Sequence, residues 1–70
     1  MQPGDHITFH GHKFDYTTPG RRYLIADVTP RTLYVRNEET GGGTFLNRAH
    51  MAAFKAQGRI DWTIEPATTN

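Results

Sequence analysis

The sequence predicts one small, mostly β domain of the α+β class, with a single helix placed before the last strand. Its 70 residues suffice for one domain and leave no room for a second. Short segments of alternating apolar and polar residues are separated by turns rich in glycine and proline, as expected for strands. Aromatic residues make up 11% of the chain, which favours a folded protein over a disordered one.

Two short strands are predicted near the start, over residues 7–9 and 14–16, with a tight turn around Gly11 between them. Residues in a strand alternate between its two faces, so Phe14 and Tyr16 are expected on the same face. The Pro19-Gly20 pair then ends this region, because that dipeptide favours the centre of a type II turn.

The strongest strand pattern covers residues 21–28, and a further strand is predicted over residues 32–36. In the first of these, one face carries three apolar residues: Leu24, Ala26 and Val28. This face is predicted to point inward, which places Tyr23 outward. In the next strand the same argument places Tyr34 outward.

A helix is predicted over residues 48–57, because this stretch holds four alanines and no β-branched residue. Asn47 is the expected N-cap and Gly58 occupies the place of a C′ glycine. A strand at residues 44–45 precedes the helix, and a last strand over residues 60–64 follows it. The domain is predicted to span residues 1–64, with a flexible C-terminal tail over residues 65–70.

The predicted core combines the inward side chains of these strands with one face of the helix. It comprises Ile7, Phe9, Phe14, Leu24, Ala26, Val28, Leu33, Val35, Phe45, Met51, Phe54, Ile60 and Trp62.

The order of elements, four or more short strands, one helical segment and a final strand, resembles that of the SH3-like small barrels over residues 5–64. The resemblance implies a five-stranded barrel with a helix before its last strand. An open, twisted sheet covered by the helix is the alternative architecture. Such barrels bind DNA, RNA, peptides and proteins, so the resemblance does not select a function.

The amino-acid composition excludes several kinds of functional site and several classes of protein. The chain has no cysteine, which excludes disulfides, thiolate metal sites and cysteine nucleophiles, and this favours a cytoplasmic location. No apolar run approaches the roughly 18 residues of a membrane span, and the first residues lack the pattern of a signal peptide. The net charge of +1 excludes a strongly basic tail protein.

Three of the four histidines, His6, His10 and His12, lie close together in the sequence. Neutral imidazoles are good zinc ligands, so a metal site is one interpretation of this cluster. The spacing matches no zinc signature, and ordinary exposed histidines are the favoured interpretation, with a pH-sensitive contact as a third. No metal or other cofactor is predicted.

The sequence carries no specific catalytic motif, and the predicted function is non-enzymatic. The adjacent Glu38 and Glu39 would point apart, so they do not form a pair for acid–base catalysis. The glycine run at residues 41–43 lacks the lysine of a phosphate-binding loop and is interpreted as a flexible connection. Asp27 is assigned a structural role.

The remaining candidate for a functional site is a binding surface of basic and aromatic side chains on the central strands and nearby turns. It comprises Lys13, Arg21, Arg22, Tyr23, Arg31, Tyr34 and Arg36. Arginines around exposed tyrosines suit phosphates and stacked bases, and equally a protein interface.

Two hypotheses follow for this surface. The first is a small binding or regulatory module that contacts nucleic acid. The alternative is an adaptor or inhibitor, of the kind found in phages and mobile elements, that docks on a larger protein. An ordinary solvated sheet face and a histidine-based metal enzyme carry less weight. The sequence allows either a monomer or a homodimer.

Overall fold

One antiparallel sheet and one helix make up the part of the chain that the computed structural model describes, residues 1–67. The elements in chain order are β1 (His6–Gly11), β2 (Arg22–Val28), β3 (Thr32–Arg36), β4 (Gly43–Asn47), α1 (Arg48–Ala56) and β5 (Ile60–Glu65). The strand order is β4-β3-β2-β1-β5, which leaves β4 and β5 as the two edges. The prediction of a mostly β fold with its helix before the last strand is confirmed, and the sheet of the described residues does not close into a barrel.

Helix α1 begins and ends where its capping residues predicted. The Asn47 side chain accepts a hydrogen bond from the His50 N–H at 3.1 Å, which satisfies one of the free donors of the first turn. At the other end Gly58 adopts a φ of 74°. The helix packs against both edge strands, β4 and β5, and so connects the two sides of the open sheet.

The core lies on one face of the sheet, beneath α1. Its buried apolar side chains are Ile7, Phe9, Phe14, Tyr23, Ile25, Leu33, Val35, Leu46, Met51 and Ile60. Val28, Phe54 and Trp62 are partly buried against this cluster. Ten of the thirteen predicted core residues are therefore buried or packed against the core, the exceptions being Leu24, Ala26 and Phe45.

The predicted inward face of β2 is wrong at its start. Tyr23 and Ile25 are buried, with 4% and 0% of their surface exposed, whereas Leu24 is only half-buried and lies on the opposite face. The cause is a β-bulge between Ile25 and Asp27, where the register with β3 shifts. Because the extra residue breaks the two-residue alternation, Val28 packs against the core although its parity matches that of Leu24 and Ala26.

The strand predicted over residues 14–16 is a turn. A single bridge joins Phe14 to Thr17, and Asp15 between them has a φ of 49°. The turn splits the two aromatic side chains, so that Phe14 is 2% exposed and Tyr16 is 83% exposed.

The C-terminal segment is attached to the start of the chain. Glu65 ends β5, and the Ala67 N–H donates a hydrogen bond to the Asp5 carboxylate at 2.9 Å. Asp5 is itself buried and also accepts the Gln2 N–H. The rest of the predicted flexible tail, residues 68–70, lies outside the described residues. Between residues 1 and 67 no helix has the length and apolar character needed to cross a membrane.

Candidate functional site

The face of the sheet turned away from the core carries the exposed aromatic and basic side chains of the central and edge strands. We call this the outer face, and it comprises Arg22, Leu24, Tyr34, Arg36, Gly43 and Phe45. The register places Tyr34 opposite Phe45, and Arg36 opposite both Gly43 and Leu24. Strand pairing therefore brings residues far apart in sequence into one surface.

An aromatic pair lies at the β4 end of the outer face. The rings of Tyr34 and Phe45 are 4.5 Å apart between centroids, with an angle of 47° between their planes. Cross-strand aromatic pairs stabilise antiparallel sheets. Phe45 nevertheless stays 69% exposed, so one apolar ring at the sheet edge remains open to a ligand.

Gly43 sets the position of the Tyr34 ring. A Cβ atom at Gly43 would lie 2.0 Å from the Tyr34 hydroxyl oxygen, which is far inside contact distance. The tyrosine ring therefore lies across bare backbone that only glycine provides. The aromatic pair depends on this close approach.

The charges of the outer face differ in whether they are paired. Arg22 forms an ion pair with Glu65 on β5 at 3.2 Å. Next to this face, His6 on β1 lies opposite Leu24 and contacts Glu38 at 2.7 Å. Among the described residues Arg36 has no ion-pair partner, although it is exposed. A positive charge thus remains beside the aromatic pair.

A groove of about 520 Å³ borders this face, between the connection that follows β1 and the loop that joins β3 to β4. Its lining residues include no acidic side chain and are Tyr16, Thr18, Arg21, Tyr23, Asn37, Thr40, Gly42, Gly43 and Thr44. Because Gly43 lines the groove and also contacts the Tyr34 ring, the groove and the outer face are contiguous. Arg21 and the exposed Tyr16 offer a second pairing of a basic and an aromatic side chain.

The predicted site residues fall into four places. The outer face holds Arg22, Tyr34 and Arg36, and the groove holds Arg21 and Tyr23. Arg31 lies in the turn between β2 and β3, and Lys13 lies beyond the end of β1, beside Arg59. The structure therefore brings only part of the predicted set together.

The prediction that Tyr23 is an exposed binding ring is wrong. Its side chain is 4% exposed and belongs to the core, because the bulge in β2 reverses the face assignment. The exposed aromatic beside Tyr34 is Phe45, which the sequence placed in the core. Phe45 and Leu46 are adjacent apolar residues, so alternation alone does not decide which is buried. Leu46, fully buried next to the helix start, takes the inward place.

The histidines do not converge. His6 contacts Glu38, and His10 lies 2.9 Å from the Thr63 hydroxyl. Within residues 1–67 no group of three or more histidine, cysteine or acidic side chains is placed to hold a metal ion. Comparisons of the chain with protein-family models, with curated proteins and with solved structures find no match.

Proposed function

We propose that this protein is a small binding and regulatory module that holds single-stranded nucleic acid on its outer face. The observation that carries the proposal is the Phe45 ring, 69% exposed on an edge strand and held against Tyr34. An exposed apolar ring is costly in water, and a stacked base is one of the partners that covers it. The proposed role is one of binding, not catalysis, and the cysteine-free composition supports a cytoplasmic location.

Basic side chains lie beside the aromatic pair and in the neighbouring groove. Arg36 lies two residues beyond Tyr34 on the same face, about 7 Å along the strand. Arg21 in the contiguous groove is the next cation. An unpaired guanidinium is suited to phosphate oxygens, because it presents several donors in one plane. This arrangement supports stacking of bases on rings with phosphates on arginines.

The architecture supports such a surface. We propose that the chain has an SH3-like arrangement in which α1 fills the gap between the edge strands. The support is the strand order β4-β3-β2-β1-β5 together with the packing of α1 against both β4 and β5. In this arrangement the core faces the helix, which leaves the outer face of the sheet to a ligand.

A protein partner is the second candidate, and the same edge position of Phe45 favours it. Tyrosine and arginine dominate interface hot spots, and an exposed phenylalanine next to them is a typical anchor. Under this alternative the chain is an adaptor or inhibitor that docks on a larger protein. The two candidates differ in how binding responds to salt.

The test is a salt titration of binding to a labelled single-stranded DNA pool of mixed sequence. We expect log Kd to change with log salt by about 0.7 per contacted phosphate. Arg36→Gln is expected to reduce that slope by about 0.7. Lys55→Gln removes a charge that contacts Asp61 and Trp62 at the β5 edge; it is the control and is expected to keep the slope. Phe45→Ala is expected to weaken binding by about 1–3 kcal/mol.

No binding at about 50 mM salt and tens of micromolar protein would overturn the nucleic-acid proposal. A pull-down from cells treated with nuclease then tests the alternative. The alternative, an adaptor or inhibitor of a larger protein, would be supported by a stoichiometric protein partner. That partner would be retained by the parent chain and lost with Phe45→Ala.

A further inference from the structure

We infer that His12, Lys13 and Arg59 form a separate binding site for a phosphoryl group. The site lies on the β5 side of the sheet, at the edge opposite Phe45. It is independent of the proposed function, because none of its three side chains belongs to the outer face.

These residues surround a cavity of about 360 Å³. Its lining consists of His12, Lys13, Arg59 and the Phe54 ring, so three of its four side chains carry nitrogen donors and none is acidic. Arg59 and Lys13 contribute two positive charges at neutral pH, and the imidazole of His12 donates an N–H in either protonation state. Among the described residues neither Lys13 nor Arg59 forms an ion pair.

The backbone fixes Arg59 in place. Its N–H donates to the Phe54 carbonyl at 3.0 Å, and the Gly58 N–H donates to the Lys55 carbonyl, which is the Schellman pattern at the end of α1. On the other side the Arg59 carbonyl accepts the His12 N–H at 3.0 Å. The helix end and the segment after β1 are thus joined directly.

Gly11 makes this junction possible. It has a φ of 95°, and a Cβ atom there would lie 2.5 Å from the Arg59 carbonyl oxygen. Because a side chain has no room at this position, the chain brings His12 against Arg59 only with glycine before it. The backbones of His12 and Arg59 are therefore positioned before any ligand arrives, which lowers the entropy cost of binding.

Asp15, two residues after Lys13, does not line the cavity, and the acidic residue closest to Arg59 in the sequence is paired with another cation. Asp61 lies two residues after Arg59, but its carboxylate pairs with Lys55 at 3.2 Å. The Arg59 guanidinium instead sits over the Phe54 ring, 5.7 Å from its centroid. Because Arg59 covers the Phe54 ring, the ring is not free to stack a base. The remaining chemistry is that of cationic donors, which suits an anion with several acceptor oxygens, such as a phosphoryl group.

A phosphoryl group has two possible sources, a free phosphate compound and the backbone of a nucleic acid. The test follows backbone amide signals by two-dimensional NMR at constant ionic strength. Inorganic phosphate is the first probe, an oligonucleotide without terminal phosphates is the second, and chloride is the reference. We expect saturable shifts at residues 12, 13 and 59 with at least one phosphate probe.

Arg59→Gln keeps the backbone hydrogen bonds and is expected to weaken this binding about tenfold or more. Arg31→Gln removes the same charge from a distant turn and is expected to leave binding unchanged. Shifts with inorganic phosphate identify a free phosphate compound as a sufficient ligand, and shifts with the oligonucleotide alone identify a backbone phosphate. Shifts that match the chloride reference, or that persist in Arg59→Gln, would overturn the site. Shifts at Arg36 and Phe45 report the outer face and are scored separately.

Discussion

The Tyr23 hydroxyl oxygen accepts a hydrogen bond from the Thr18 N–H at 2.8 Å. This bond ties a core side chain to the connection that forms one wall of the groove. The Tyr23 ring is buried in the core, so the groove wall is attached to the core.

Tyr23→Phe removes this bond and leaves the ring in the core. We expect a loss of about 0.5–1.5 kcal/mol in the free energy of unfolding, the usual net contribution of one hydrogen bond. Urea unfolding measures that loss, and amide hydrogen exchange at Thr18 is expected to accelerate more than exchange in β3. Unchanged protection of Thr18 would show that the loop is held without the tyrosine.

Gly43→Ala is expected to displace the Tyr34 ring, because the added methyl group would lie 2.0 Å from its hydroxyl oxygen. The ring tip moves more easily than the backbone, so the pair with Phe45 is disrupted. Overpacking of this kind typically costs about 1–3 kcal/mol. Oligonucleotide binding is expected to weaken together with the near-ultraviolet tyrosine signal.

The matched control is Gly42→Ala, where the nearest atom lies 3.4 Å from the added methyl group. This variant is expected to keep both the tyrosine signal and the affinity. Equal behaviour of the two alanine variants would contradict the assignment of Gly43 as the residue that positions Tyr34.

Two phenylalanines of the core are expected to differ in their contribution to stability. Phe14 is 2% exposed and contacts both Phe9 and Phe54, whereas Phe54 is only partly buried. Phe14→Ala is therefore expected to cost about 3–5 kcal/mol, near the whole stability of a domain this small. Phe54→Ala is expected to cost less and to retain a cooperative melt, as measured by circular dichroism. The reverse order would show that the core depends more on the helix residue Phe54 than on Phe14 in the turn after β1.

Asp61 makes the stability of the folded protein depend on pH in the acidic range. The backbone N–H of Trp62, and then the Lys55 ammonium, lower the pKa of its carboxyl below the ordinary value of 3.8. A carboxyl whose pKa is lower in the folded state stabilises that state at pH values above the unfolded-state pKa. This stabilisation is lost as the pH falls through the folded-state pKa.

Asp61→Asn keeps an oxygen acceptor for the Trp62 N–H and removes the charge. We expect it to be slightly less stable than the parent chain at neutral pH, with a gap that shrinks as the pH falls below 3.8 and through the folded-state pKa, by urea unfolding across this range. A gap that stays constant across this range would show that the ionised carboxylate contributes nothing.

Local patterns in the sequence predicted the regular elements well. Asn47 and Gly58 mark the helix ends because capping satisfies backbone groups that neighbouring residues cannot. The alternation in residues 32–36 predicted β3 with its buried Leu33 and Val35, since β3 pairs with strands on both sides and has no irregularity of its own.

Most of the candidate site depends on strand pairing and on which apolar side chains are buried, and local sequence patterns do not determine either. Arg36 and Tyr34 share a face by simple alternation, and that part was predictable. The exposure of Phe45 was not, because either of two adjacent apolar residues satisfies the pattern. The meeting of His12 with Arg59 requires the pairing of β1 with β5, which joins opposite ends of the chain.

Apart from the strand expected over residues 14–16, the sequence by itself determined the strands and the helix, their order and the helix boundaries, because these follow from interactions between residues a few positions apart. Only the tertiary structure decided which face of β2 is buried. A bulge between Ile25 and Asp27 shifts the alternation by one residue, and its place is set by pairing with β3. That shift separates Tyr23, which lies in the core, from the predicted outward face, while the regular pairing of β3 with β4 places Phe45 opposite Tyr34 on the outer face.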